Sequence, residues 1–181
     1  AALADHAAPF FAAWAGPGLP RRHRGLVGTV GRWCRPLETL PRTLIHNDFN
    51  PRNLALRGTP ERPTLCAYDW ELATLGLPQR DLAELLCFTV GPAPRRADVV
   101  RLVETHRAAL AAAAGRVVDA ADWWLGLRLA LHDLLVSRLP MYALVNRVRP
   151  QRFLPRVLRA WRALDDLIPD APARTGGEVA G

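Results

Sequence analysis

Between residues 43 and 69 the chain gives up helical spacing. Thr43–His46 reads T-L-I-H, a short β-rich run, and 53–57 and 64–69 are two more. The last two runs are divided by G-T-P-E-R-P, a stretch dense in turn formers, and predict a hairpin. The other patterned segments are helical. Residues 2–15 predict a short helix with Leu3, Phe10, Phe11 and Trp14 toward the core, ended by G-P-G-L-P at 16–20. A second helix is expected from about Arg24 to Leu40, interrupted by Gly28, Gly31 and Pro36 and closed by Pro41. Asp81 followed by Glu84 has capping-box spacing and predicts a helix start. Helices follow over about 95–114, from Asp119 or Asp122 to about Leu139 (where Pro140 stops it), and over about 151–168. The segment before Leu139 is apolar nearly all round, which predicts a central position. The expectation is an α+β domain, mainly α, spanning 1–168, with a small β-hairpin and a disordered tail at 169–181.

Composition excludes several chemistries. With 181 residues, half of them apolar, the chain has material for one domain and its core. All 24 basic residues are Arg and none is Lys, so no Schiff base, P-loop lysine or nucleotide-clamping lysine lies in this chain. The single serine, Ser137, stands in S-R-L-P rather than G-x-S-x-G, which rules out a serine hydrolase of the common kind. Cys34, Cys66 and Cys87 lie far apart, with no C-x-x-C or H-E-x-x-H, and read as reduced core thiols of a cytoplasmic protein. His23, His106 and His132 have no acidic or cysteine partner at ligand spacing and read as packing or surface residues. The N-terminus lacks a basic n-region, and no uncharged apolar run reaches about 18 residues, so no membrane partner is expected. Arg152, Arg156 and Arg159 share one face of the last helix, which reads as a solvated face and not as a nucleic-acid site.

The chemistry concentrates in 45–84: I-H-N-D-F-N-P-R-N-L-A-L-R, then a turn, then L-C-A-Y-D-W-E and G-L-P-Q-R-D-L-A-E-L. His46, Asp48 and Asn53 stand in H-x-D-x-x-x-x-N spacing, and Asp69 follows at the expected end of a strand. A loop leaving a strand can hold Asp48 forward as acceptor for a hydroxyl proton. Asn53 can turn its amide oxygen back to the same point, and the returning hairpin strand brings Asp69 beside it. Such an all-oxygen site suits Mg²⁺ better than zinc or copper, and with a metal present phosphoryl transfer needs little beyond positioning and charge neutralisation.

These motifs resemble the aminoglycoside phosphotransferase and choline kinase family, which shares its architecture with protein kinases. The likeness is close at His46-Asn47-Asp48 through Asn53, at Asp69-Trp70-Glu71, and from Pro78 through Ala83. It implies a protein-kinase-like C-terminal lobe whose small hairpin carries the catalytic and metal-binding loops. The reaction it implies moves the γ-phosphate of ATP (or GTP) to a small-molecule hydroxyl. By resemblance Asp48 is the catalytic base, Asn53 and Asp69 hold Mg²⁺ and through it the nucleotide, and His46 braces the catalytic loop. Asp81 anchors that loop from its helix. Arg52 offers a positive charge near the transferred phosphoryl, and Glu71 divides between a salt bridge and a substrate role. Position 50 is Asn, where many small-molecule kinases of the family carry His and protein kinases carry Lys.

No Lys and no G-x-G-x-x-G stand in the chain, so the resemblance implies that the N-terminal nucleotide-binding lobe is absent from it and would come in cis from a longer polypeptide or in trans. Little turnover is then expected of the chain alone, and the competing expectation is a non-catalytic, pseudokinase-like remnant or binding module. Carboxylates are few after residue 94, which leans away from polycationic aminoglycosides and toward a neutral or anionic alcohol.

Overall fold

The computed structural model describes residues 2–168; the tail expected at 169–181 lies outside the described residues. Helix α1 (Ala2–Ala15) is followed by α2 (Gly18–Gly28) and the single turn α3 (Val30–Trp33). Four short strands come next: β1 (Thr43–Ile45), β2 (Leu54–Thr59), β3 (Arg62–Ala67) and β4 (Thr74–Gly76). The remainder is helical: α4 (Pro78–Thr89), α5 (Arg96–Ala114), α6 (Ala120–Val136), α7 (Arg138–Asn146) and α8 (Leu154–Leu167). The fold is thus α+β and mainly α, with two small antiparallel sheets, β1–β4 and β2–β3.

The β2–β3 ribbon pairs Leu54 with Ala67 at its foot and Thr59 with Arg62 at its tip. Strand β4 has no counterpart among the sequence expectations, because T-L-G offers three residues and a glycine to a pattern search that needs more. Its Gly76 is required by packing: a Cβ there would stand 2.5 Å from Ile45 Cδ1, across the β1–β4 pair.

Two helices differ from expectation for one reason. The second helix begins at Gly18, not near Arg24, and places Pro20 third in its first turn, where a missing N–H costs nothing. It ends at Gly28, where the Thr29 hydroxyl donates to Gly25 O at 2.8 Å, and the chain continues as α3 and a 3₁₀ turn over Arg35–Glu38. Likewise Pro140 does not stop α6. That helix closes earlier, at Ser137, whose hydroxyl and backbone N–H both reach Asp133 O (2.7 and 2.8 Å), and Pro140 is the third residue of α7.

The core gathers Phe11, Trp123, Leu127, Leu131, Leu134, Leu135, Leu158 and Trp161, with α6 in the middle as its all-round apolar pattern requires. Each buried Leu contributes about 2 kcal/mol of transfer free energy. Helix α4 packs on α6 and α8, and α1 packs on α2, α7 and α8. Phe10 and Trp14 are only half-buried, while Ala4, Ala7 and Ala15 complete the inner face of α1. The three cysteines are free thiols, but only Cys87 is in the core; Cys34 and Cys66 are half-buried, the latter on the exposed ribbon. Among the described residues no helix is long and apolar enough to cross a membrane.

Candidate active site

The loop between β1 and β2 is bolted to α4. Asn47 takes the left-handed conformation (φ 60°), which turns the backbone so that consecutive N–H groups face one acceptor. That acceptor is Asp81: its Oδ2 accepts from His46 N–H at 2.7 Å and its Oδ1 from Asn47 N–H at 2.8 Å. Asp81 is therefore not the helix cap that its spacing to Glu84 suggests. The cap position is Leu77, Pro78 opens the helix, and Asp81 sits inside the first turn with its carboxylate spent across the loop.

Asp48 lies three residues beyond the end of β1 and is half-buried. Its Oδ2 accepts from Asn53 Nδ2 at 2.7 Å, and Oδ1 accepts from Asn50 Nδ2 at 3.1 Å. Both amides also donate to Asp48 O, at 2.9 and 3.2 Å. Asn50 is fully buried, and its remaining atom, Oδ1, accepts from Arg52 N–H (3.2 Å) and Arg52 Nε (3.0 Å). The aspartate is held by two asparagines, each with its amide orientation fixed by what it donates to.

Beneath Asn50 stands Glu84, with no exposure at all, 3.5 Å from Asn50 Nδ2 and paired with Arg80 Nη1 at 3.2 Å. Burial pushes the Glu84 carboxyl above its ordinary range, against the pull of the Arg80 and Arg138 guanidiniums. Arg80 also holds Asp133 at 3.0 Å. From α7, Arg138 places Nη1 3.7 Å from Asp48 Oδ1 and donates through Nη2 to Asn47 O. The Tyr142 hydroxyl lies 3.4 Å from the same Asp48 oxygen, and burial raises its pKa above the ordinary tyrosine value.

Asn53 ends the 3₁₀ turn Pro51–Asn53 at the foot of the ribbon. Across from it, Tyr68 N–H donates to Asn53 O at 3.1 Å, which sets Asp69 at the same end. Asp69 is not on the strand, as its spacing suggests, but two residues past β3, in the left-handed conformation (φ 64°) before a 3₁₀ turn over Trp70–Leu72. Its carboxylate is exposed and no hydrogen bond or ion pair reaches it among the described residues. Asn53 has its Nδ2 committed to Asp48, which leaves Oδ1 as the outward atom of the amide. Two oxygen donors, one carboxylate and one amide, thus stand at the ribbon's foot. Among the described residues no group of three His, Cys, Asp or Glu side chains is arranged around a common ion.

His46 makes no hydrogen bond to Asp48. Its ring is buried between Phe49 and Trp70, with Nε2 2.8 Å from Tyr68 O. A carbonyl only accepts, so Nε2 carries the proton, and Nδ1 is buried without a partner. Arg52 turns toward the rings of Phe88, Tyr142 and Phe153, at 5.8, 6.0 and 5.1 Å from their centroids. Glu71 is exposed and unpaired among the described residues.

Sequence reasoning missed Asn50 as a holding group, Glu84 as a buried one, and Arg138 and Tyr142 altogether. Local spacing held a trace of Glu84 only, since it was read as half of a cap. Arg138 and Tyr142 lie some ninety residues downstream, and no motif ties them to Asp48.

A cavity of about 570 Å³ opens between the loop and α7, bounded among others by Asn47, Arg80, Asp133 and Met141, and by Arg138 and Tyr142, the two α7 groups that reach Asp48. Comparison with protein families finds a match over residues 7–124 to the model described as APH, phosphotransferase enzyme family. No curated protein and no solved structure matches the chain.

Proposed function

Because the chain belongs to the phosphotransferase enzyme family, we propose that it supplies the catalytic lobe of a kinase that phosphorylates a small-molecule hydroxyl, with Asp48 as the base. One observation carries the reading: Asp48 is the point on which the Asn50, Asn53, Arg138 and Tyr142 side chains converge, and two of these, Arg138 and Tyr142, line a cavity large enough for a small alcohol. Each carboxylate oxygen of Asp48 has lone pairs beyond those its amide donors occupy. One of them takes the acceptor's proton as its oxygen bonds to the γ-phosphorus. The bond from that phosphorus to the bridging oxygen of the β-phosphate breaks, and the nucleoside diphosphate leaves with the electron pair.

Asn53 Oδ1 and the Asp69 carboxylate are the groups that would hold Mg²⁺. Both are hard oxygen donors, neither is engaged by another residue through those atoms, and two protein ligands leave room for water and phosphate oxygens. When bound, the ion supplies positive charge to the phosphates of ATP or GTP. Asp81 positions the loop through two backbone N–H groups, and His46 fills the space beneath it and braces Tyr68. The protein-kinase-like lobe organisation, with the nucleotide lobe supplied from outside residues 1–168, belongs to the same proposal.

The test uses the full-length protein with Mg²⁺ and ATP. Asp48→Asn lowers turnover by about 10²–10⁴-fold and leaves nucleotide affinity nearly unchanged, because only proton transfer is lost. Asp69→Asn weakens the metal–nucleotide complex instead. Equal effects of the two substitutions on binding and turnover contradict the division of roles, and the absence of any Mg²⁺-dependent nucleotide binding overturns the proposal in favour of a non-catalytic module.

A further inference from the structure

The cavity between the Asp48 loop and α7 is lined by two arginines, Arg80 and Arg138, and one carboxylate, Asp133. Asp133 is bound to Arg80 at 3.0 Å, and Glu84, outside the lining, lies wholly buried under Asn50 and is bound to the same Arg80 at 3.2 Å. Arg80 is thereby matched twice over. Arg138 is not: the one carboxylate within ion-pair distance of it among the described residues is Asp48, at 3.7 Å, beyond hydrogen-bond length. Arg52 has no carboxylate within ion-pair distance among the described residues. It lies over the Phe88, Tyr142 and Phe153 rings, with Nη2 3.4 Å from the Tyr142 oxygen. Stacking on ring faces leaves a guanidinium's in-plane N–H groups available, and those of Arg52 that Asn50 and Tyr142 do not take are open to an anion. Arg52, Tyr142, Asp48 and Arg138 follow one another through contacts of 3.4, 3.4 and 3.7 Å; Arg138 and Tyr142 line the cavity, and the exposed Arg52 adjoins it through Tyr142.

Resting on the phosphotransferase reading above, we propose that the acceptor is an anionic alcohol, whose carboxylate or phosphate is held by Arg138 and Arg52 while its hydroxyl faces Asp48. A cationic alcohol would bring a further positive charge beside Arg138 and Arg52. A neutral one would leave Arg138 with only its 3.7 Å contact to Asp48, and Arg52 with no carboxylate at ion-pair distance among the described residues. An anion satisfies both, and its hydroxyl is left to meet Asp48.

The experiment is an NMR titration of the full chain, following the Arg side-chain Nε–H signals, with glycerate, glycerol 3-phosphate, glycerol and ethanolamine as probes. Arg138→Gln and Arg52→Gln assign the two signals and serve as the variants. At least one of the two anions is expected to shift both signals and to bind about tenfold or more tightly than glycerol or ethanolamine. Each Gln variant weakens that binding by about tenfold, and Arg138→Lys, which keeps the charge, restores part of it. The preference between glycerate and glycerol 3-phosphate identifies the group as carboxylate or phosphate. Binding of glycerol or ethanolamine as tight as that of the anions overturns the inference, as does anion binding that survives both Gln substitutions or fails altogether.

Product analysis with Mg²⁺–ATP separates the two readings. Phosphorylation of a neutral or cationic alcohol in preference to the anions removes the anionic acceptor and leaves the phosphotransferase standing. Anion binding at the two arginines with no phosphorylated product from any alcohol removes the phosphotransferase and leaves the anion site.

Discussion

Among single residues, two histidines, the buried His23 and the half-buried His106, bear on how the fold responds to acid. His23 lies edge-on to Phe11 and His106 stacks on Trp123, and each buries an Nδ1 that no group satisfies. Burial holds both imidazoles below the ordinary value of 6.5; Arg24 adds to the effect at His23, while Asp81 opposes it at His106. The unfolded chain takes up protons near pH 6.5 that the folded chain refuses, so stability is full above that value and declines as pH falls toward the depressed folded values. Glu84 acts in the opposite sense: burial raises its carboxyl above 4.5, so its share of stability is lost as pH rises from there through the raised folded value. Thermal melts of His106→Gln against the parent isolate the histidine term. The two melting temperatures should draw together as pH is lowered from about 7 to about 5, and a constant gap would contradict it. The sequence placed these histidines as packing residues from their lack of partners, but the cost of their burial depends on neighbours no local spacing specifies.

Secondary-structure elements divide by how much their stability depends on distant contacts. The β2–β3 ribbon buries little: Leu56 and Leu65 face each other across it at 75% and 54% exposure. A lone two-stranded ribbon is marginal in water, so its ladder and turn geometry must hold it. Gly58, at φ 88°, is central to that geometry, and a Cβ there would stand 2.4 Å from Arg62 O. Gly58→Ala should therefore cost about 1–2 kcal/mol locally. Faster amide exchange in 54–67 without loss of the helical circular dichroism checks it, and unchanged exchange refutes it. The ribbon was legible because six turn-forming residues separate two β-rich runs. Helix boundaries were not, since proline reads as a stop signal in sequence while Pro20 and Pro140 occupy first turns that need no N–H.

For the whole molecule, α8 is tied to α2 and α6 by a single carboxylate. Asp165 accepts from Arg22 Nε and Nη2, both at 3.0 Å, and from Arg128 Nη1 at 2.6 Å, with the Arg128 side chain only 6% exposed. Removing that carboxylate takes from Arg22 and from the buried Arg128 an ion-pair partner that they share, so Asp165→Ala should cost about 3 kcal/mol in global stability. Chemical denaturation measures it, and a loss under about 1 kcal/mol would show the cluster to be no stronger than an exposed pair. Helix periodicity foretold that α6 would be central, and the H-x-D-x-x-x-x-N block marked the loop, but the meeting of α7 with that loop is tertiary and left no trace in spacing. The two bonds from Asp81 to His46 and Asn47 have a dynamic corollary. Because α4 packs on α6 and α8, the peptide N–H groups that shape the Asp48 loop share the lifetime of the helical interior. Their deuterium uptake should track global opening, so the loop meets any incoming ligand already rigid, and that ligand repays no ordering entropy at this point.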